Sequence, residues 1–429
     1  MPSLRPLVSS FARLRFHRLA LGWLAAMGLM ALLAPFLANP LPFRVVMPNG
    51  GTFYPAWQAE ARGSFWDPVV QREREMALRE VAWYAQKTAS VWWAPVRYDG
   101  QPLGKDKLLP PGAPSRLHPE RGRHWLGTTQ SGRDLLGALI HGSRLSLGVG
   151  LLAVFIALSL GLMVGTLTGF WQDHRLVRAR GQWWATWLGL FLAWFYGWNR
   201  RAVLFEEAAQ SQQLGQEILI SLLIGGGILI VAHLAGRGLS RLPFLNRPRR
   251  IPLDTLGLKA IEVLDSLPRL LLLLAIAAIF RDRSLTLVAI LIGLTAWTGL
   301  ARLVRGELLR ISQLDFVQAA AALGLKDREI LWRHALPQAL APVYIWVAFS
   351  LGGAILSESA LSFLGLVEEA PSWGGLISDA KSYFEAWWIA LFPGLCLFLT
   401  VLACNVMGEW LRDRQDPRQV VRPARLTGS

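Results

Sequence analysis

Leu145 to Phe170 contains no charged side chain, and it is longer than the ~20 apolar residues a helix needs to cross a bilayer. In hydrocarbon every backbone N–H and C=O must be satisfied within the segment, so a run of this kind can only be a helix. Similar runs recur at Leu19 to Ala38, Ile218 to Ala235, 285–301, 342–364 and 387–407. With 53% hydrophobic residues and 20 tryptophans in 429 positions, the chain reads as an all-α polytopic membrane protein. Cys396 and Cys404 lie on the last run and read as small apolar packers rather than a disulfide. No His/Cys cluster has metal-ligand spacing, so no metal site is expected.

Positive charge sets the orientation. A net charge of +15 would suggest nucleic acid for a soluble domain, but membrane proteins gather Lys and Arg in cytoplasmic loops, and no nucleic-acid partner is expected. Residues 1–18 carry Arg5, Arg13, Arg15 and Arg18 without an acid, which makes 19–38 an uncleaved first span entered from the cytoplasm. Residues 39–144 form an enlarged extracytoplasmic loop, and 145–170 returns inward. The segment 171–251 then reads as an inserted helical hairpin. Its apolar stretches, Trp183 to Trp198 and Ile218 to Ala235, are flanked by basic segments, three Arg against one Asp in 172–182 and five Arg with no acid in 237–250. Between them, Arg200 and Arg201 balance Glu206 and Glu207. The first stretch is short, so a full span and a tilted, re-entrant or interfacial helix are both compatible with it. Trp183, Trp184, Trp187, Trp194 and Trp198 read as interfacial belt residues rather than a ligand cage. Gly225-Gly226-Gly227 reads as close helix packing, because the Lys-Ser/Thr of a phosphate-binding loop is missing.

The core 252–408 begins with a helix expected from near Leu258 to Phe280, whose cytoplasmic half carries Glu262, Asp265 and Arg269. Arg281-Asp282-Arg283 makes an outer turn, 285–301 runs inward, 342–364 outward, 368–385 lies outside, 387–407 returns, and 409–429 is a basic cytoplasmic tail. The resulting topology has six spans plus the inserted pair, with both termini inside.

One polar island interrupts this pattern. Asp315 to Pro337, DFVQAAAALGLKDREILWRHALP, predicts a helix over Phe316 to Leu323, a turn at Gly324, and a second helix over Arg328 to Leu336 with Asp327 as N-cap. Gln318, Ala319-Ala320, Gly324 and Leu336-Pro337 resemble the coupling loop of importer-type ABC permeases, in which Glu-Ala-Ala precedes a glycine and then Leu-Pro. Gln318 stands where that family usually has Glu. His124 to Thr128, Gly132-Arg133-Asp134 and His141 to Ser146, together with Pro371 to Gly374, resemble signatures of dipeptide and oligopeptide permeases. Ala38 to Leu41, Trp93 to Arg97 and Pro110-Pro111 are similar to the microcin C-type subgroup.

The resemblance implies an inner-membrane permease subunit of a bacterial ATP-driven importer for peptides or peptide-like solutes. It implies a homologous second permease, two cytoplasmic ATPases and an extracytoplasmic substrate-binding protein as partners. ATP and Mg would be bound by the ATPases, with no cofactor and no enzymatic chemistry in this chain. Glu358, the acid within an apolar span, is expected to act as a clamp, a gate or a pathway contact, and Asp265, the second pathway or gate candidate, to pair with Arg269 or hydrogen-bond across the dimer. Gly127, Arg133 and Asp134 belong to the outer-loop signature and are expected to organise that loop or to meet the binding protein. The competing class is a non-transporting membrane scaffold or receptor that retains the fold.

Overall fold

The computed structural model describes residues 5–47, 50–56, 90–102, 106–116, 122–173, 177–204, 214–242, 244, 248–250, 252–279, 284–367 and 371–415. The expected turn at 281–283, the acids Glu206 and Glu207 and most of the basic tail lie outside them. The chain forms two compact units, one from Met1–Gly165 with Val263–Ser429 and one from Thr166–Glu262.

In the first unit α1 (Arg5–Leu32) is followed by the short α2 (Ala34–Leu37). The apolar run therefore breaks near Leu33 rather than continuing to Ala38. Pro35 has no N–H for the carbonyl one turn back and its ring would clash there. Beyond it β1 (Arg44–Val46) pairs antiparallel with both β2 (Thr52–Phe53) and β3 (Ser90–Trp92), and β4 (Ala113–Pro114) pairs with β5 (Arg123–His124). α3 (Leu135–Thr166) starts ten positions before the uncharged run, so the outer-loop signature is partly helical.

The second unit has its own internal logic. β6 (Val177–Ala179) precedes α4 (Arg180–Gly197) and α5 (Leu214–Leu239), and β7 (Pro248–Arg250) pairs with β6 and brings the ends of the hairpin together. Small residues let the two helices touch. A Cβ added to Gly189 would lie 2.4 Å from that of Ala232, one on Gly236 would lie 3.0 Å from the Gln182 backbone, and one on Gly197 would lie 3.3 Å from the Ser221 carbonyl. Of the triple glycine only Gly225 meets the partner helix, through Ala193 at 3.9 Å; Gly226 and Gly227 face open space. Trp184, Trp187, Trp194 and Trp198 are exposed along α4. Arg201 is ion-paired with Glu217 at the far end. Asp173 receives the backbone N–H groups of Asp254 at 2.8 Å and Thr255 at 3.3 Å, and so caps α6 (Leu253–Asp265) from far away in sequence.

α7 (Arg269–Ile279) is separate from α6. The single helix expected from Leu258 is thus broken at Ser266-Leu267-Pro268, because the proline withholds a helical N–H. α8 (Leu285–Ser312), capped by Ser284 Oγ on the Leu287 N–H, leads to α9 (Asp315–Ala322), α10 (Asp327–Ile330) and α11 (Leu336–Ala339). α12 (Ala341–Phe363), α13 (Trp373–Asp379) and α14 (Trp387–Gln415) complete the unit.

Its core is knit at close approaches. A Cβ on Gly293 of α8 would stand 2.9 Å from the Ala153 carbonyl of α3, and one on Gly374 only 2.4 Å from Ser359 Cα of α12. Trp23 of α1 donates to Thr400 Oγ1 of α14 at 3.1 Å. Cys404 is a free, buried thiol packed against Gly352, and Cys396 is also free. Among the described residues five helices are long and apolar enough to span a membrane: Leu135–Trp171, Leu219–Leu239, Leu285–Ser312, Ala341–Phe363 and Trp387–Gln415. Phe16–Leu32 and Arg269–Ala278 are shorter apolar helices.

Candidate functional site

The elbow is built from backbone bonds and apolar feet. Leu325 N–H donates to the Ala320 carbonyl at 3.2 Å and Gly324 N–H to Ala321 at 3.0 Å, the paired bonds that close a helix through a left-handed residue. Gly324 supplies that residue with φ +80°, and nothing lies within 4 Å of where a Cβ would be. Its requirement is conformational rather than steric. α10 is entered from Lys326, which is its N-cap; Asp327 is instead the first helical residue, where its carboxylate and that of Glu329 favour the positive end of the helix. The second helix is also less regular than expected. Leu331–Ala335 widens into a π turn, closed by Leu336 N–H on the Leu331 carbonyl. Pro337 accounts for the widening, since it cannot donate to Arg333 and its ring presses on that carbonyl.

Val317, Ile330, Leu331, Ala335 and Ala339 are buried, as are Val304, Leu308 and Ile311 of α8, which the elbow contacts. Ala319, Gly324 and Pro337 are exposed, Ala320 and Leu336 half-buried. Leu323 (81% exposed) and Trp332 (61%) face outward, large apolar surfaces on a segment whose own feet are already buried. Gln318 Nε2 donates to the Gln313 carbonyl at the end of α8, 3.2 Å away. A glutamate has no N–H to make this bond, so the amide ties the elbow to α8 in a way the acid cannot.

A cavity of about 470 Å³ opens at the break between α6 and α7, lined by Asp265, Arg269, Thr295, Thr298, Trp346 and Ser350 among apolar neighbours. Asp265 pairs with Arg302 of α8 rather than with Arg269 one turn on. The helix break explains the difference, because residues 265 and 269 no longer share a helical face. Glu358 does not line this cavity. It is fully buried, accepting from Ser362 Oγ at 2.7 Å and Ser359 Oγ at 3.3 Å, with Ser146 and Ser372 also hydrogen-bonded to it. Its oxygens are occupied by α12, α3 and the cap of α13.

At the other end of the bundle's loop region Asp134 caps α3, its Oδ1 accepting the Gly137 N–H at 2.8 Å while Oδ2 lies 2.8 Å from His124 Nδ1. His124 Nε2 lies 3.3 Å from Asp106, which also accepts from Ser115 Oγ and the Arg116 N–H. All three side chains are buried, and Tyr98 packs on the imidazole with ring centroids 4.5 Å apart. Burial by itself would lower the His124 pKa, but its bonds to Asp134 and Asp106 outweigh that and raise it. Burial would likewise raise Asp106, yet Ser115, Arg116 and His124 hold it below the ordinary value. Gly127 has φ +82° and also no room, a Cβ there meeting the Leu109 carbonyl at 2.6 Å and Trp388 Nε1 at 2.8 Å. Arg133 is half-buried, its backbone N–H on Thr129 Oγ1 at 3.3 Å. The pairing of His124 with Asp106 escaped sequence reasoning because the two are 18 residues apart in a loop without periodicity. Among the described residues no metal-binding cluster occurs.

Residues 244–421 match the family described as binding-protein-dependent transport system inner membrane component. The chain is 30% identical to the di/tripeptide transport system permease protein DppC of Pseudomonas aeruginosa, covering 76% of this chain and 82% of that one. It is 28% identical to the oligopeptide permease protein OppC of Haemophilus influenzae, over 77% and 79% of the two chains. With the glutathione permease protein GsiD of Pectobacterium atrosepticum it shares 27% identity, over 69% and 73%. The aligned regions reach well beyond 244–421, and on these grounds the chain belongs to the family of inner-membrane permease components of binding-protein-dependent transport systems.

Proposed function

We propose that this chain is one of two permease subunits of an ATP-driven importer for peptides or peptide-like solutes, with both termini and the elbow 315–337 cytoplasmic. Two ATPase subunits would dock at the elbow and a binding protein would deliver solute to the outer face. ATP and Mg would belong to the ATPases, leaving this chain without a cofactor or an enzymatic step. The peptide class comes from the relatives, whose names specify di- and tripeptides, oligopeptides and glutathione.

The observation that carries the coupling role is mechanical. α8 is one uninterrupted helix whose outer part lines the cavity through Thr295 and Thr298 and whose last turn enters the elbow. From Thr298 to Ser312, the end of α8, is roughly 21 Å at 1.5 Å per residue. A displacement of the elbow is therefore delivered to the cavity wall by a rigid rod, and the Asp265–Arg302 pair lies on the same rod. A loop without the Gly324 turn and the buried feet would absorb the motion instead.

Copurification tests the assignment. A tagged chain extracted in mild detergent is expected to bring down a second permease and ATPase subunits; recovery of the chain without any ATPase would favour the scaffold reading. In the reconstituted complex, Gly324→Val is expected to leave membrane insertion intact and to abolish stimulation of ATP hydrolysis by solute-loaded binding protein.

A further inference from the structure

Arg269 is the one cavity-lining cation whose charge nothing described offsets. Its Nη2 donates to the Ile292 carbonyl at 3.4 Å, near the outer limit of a hydrogen bond, and among the described residues no carboxylate lies at ion-pair distance from it. The adjacent acid, Asp265, is ion-paired with Arg302. Around the guanidinium the wall is polar but uncharged. Thr298 and Ser350 bring hydroxyls, and Thr295 spends its proton on the Leu291 and Ile292 carbonyls at 3.0 and 3.1 Å. In this chain Arg269 is exposed at the mouth of the cavity, at the start of an apolar helix on which a charge is costly to carry across a bilayer. A planar guanidinium with most of its five donors unspent matches a carboxylate better than any neutral group does.

We infer that Arg269 determines specificity in the pathway by reading a carboxylate of the passing solute, which for a linear peptide is its C-terminus. The inference rests on the importer reading, since it assigns the solute's anionic end to this cavity. Asp265 does not compete for the guanidinium, because its pairing with Arg302 holds it on α8. Thr298 and Ser350 would receive or donate the remaining hydrogen bonds of the carboxylate without adding charge.

The test separates the charge from the cargo. In the full complex with Cys396→Ala and Cys404→Ala, a cysteine is placed by Ser350→Cys and its modification rates by the anionic ethylsulfonate and the cationic trimethylammonium methanethiosulfonates are compared. The anionic-to-cationic rate ratio is expected to fall about tenfold or more in Arg269→Gln and to recover in Arg269→Lys, as Coulomb coupling across a small cavity requires. An unchanged ratio, as when a carboxylate of the second permease already neutralises Arg269, overturns the inference. So does a cysteine that neither reagent reaches. In the second arm, Arg269→Gln is expected to slow ATP-driven uptake of trialanine about tenfold relative to trialaninamide, each normalised to capture by the binding protein. Equal slowing of both peptides would mean that the charge does not read the carboxylate. Wild-type complex that captures trialanine on its binding protein yet takes up none counts instead against the importer reading.

Discussion

Gly127 and Gly324 both hold left-handed backbone, at φ +82° and +80°, yet they constrain the molecule differently. Around Gly127 there is no space, and around Gly324 there is nothing but space. The first belongs to the segment leading into α3, where His124 is clamped between Asp106 and Asp134 and Asp134 also caps α3. The second belongs to an elbow locked by backbone bonds and apolar feet, with its polar side chains left in water. The segment before α3 buries its polar cluster, whereas the elbow, under its proposed coupling role, keeps its surface open and stores its rigidity underneath.

This contrast breaks most visibly at His124. His124→Ala leaves two buried carboxylates without their cation and is expected to destabilise the outer segment by about 3–5 kcal/mol, read as protease sensitivity on the periplasmic side of right-side-out vesicles. The pH profile gives the sign. With its pKa raised in the folded state, His124 contributes stability that is fully present below the ordinary histidine value of about 6.5 and lost as pH rises through the folded value. Asp106 is depressed, so its contribution is present above the ordinary carboxylate range and lost as pH falls through its folded value. The segment is therefore expected to be most resistant in the mildly acidic range and to loosen on both sides of it. In His124→Ala the alkaline loosening should vanish. If the variant shows the same alkaline limb as wild type, the buried clamp is not its origin.

Gly127→Val combines a left-handed β-branched residue with a clash against backbone, about 2–5 kcal/mol in all, and is expected to lower the melting temperature of the detergent-solubilised protein. Gly324→Val carries only the conformational part, about 1–2 kcal/mol, confined to the turn. It should leave that melting temperature nearly unchanged while uncoupling hydrolysis, and a melting shift as large as that of Gly127→Val would erase the distinction between the two glycines. The smallest effect is expected for Gln318→Glu. Losing one exposed hydrogen bond to Gln313 is worth about 0.5–1.5 kcal/mol at most. If the acid at this position serves the ATPase rather than the elbow, solute-stimulated hydrolysis should rise despite that loss.

The legibility of these regions in the sequence followed from the range of the forces involved. Runs such as 145–170 declare a helix because the bilayer removes every alternative, and the Gly324 turn is declared by a local φ requirement. Pro268 and Pro337 were equally visible, but what they do was not. Whether a proline kinks a helix, splits it into α6 and α7, or opens the π turn at Leu331–Ala335 depends on what packs alongside. The small-residue seam of the hairpin was hidden in the same way. The glycines that face α5, Gly189 and Gly197, stand among tryptophans, whereas the conspicuous triple glycine contributes only one contact.

By itself, then, the sequence determined the helical membrane architecture, the polar elbow and its left-handed glycine, because each depends on solvent or on a few adjacent torsions. Only the tertiary structure decided which charges meet. Asp265 faces Arg302, His124 lies between two aspartates, Glu358 is enclosed by serines, and Arg269 is left facing the cavity. Pairings such as Asp265 with Arg302 or Glu358 with Ser146 join residues far apart in the chain, and their energy depends on distance and burial that no local pattern encodes.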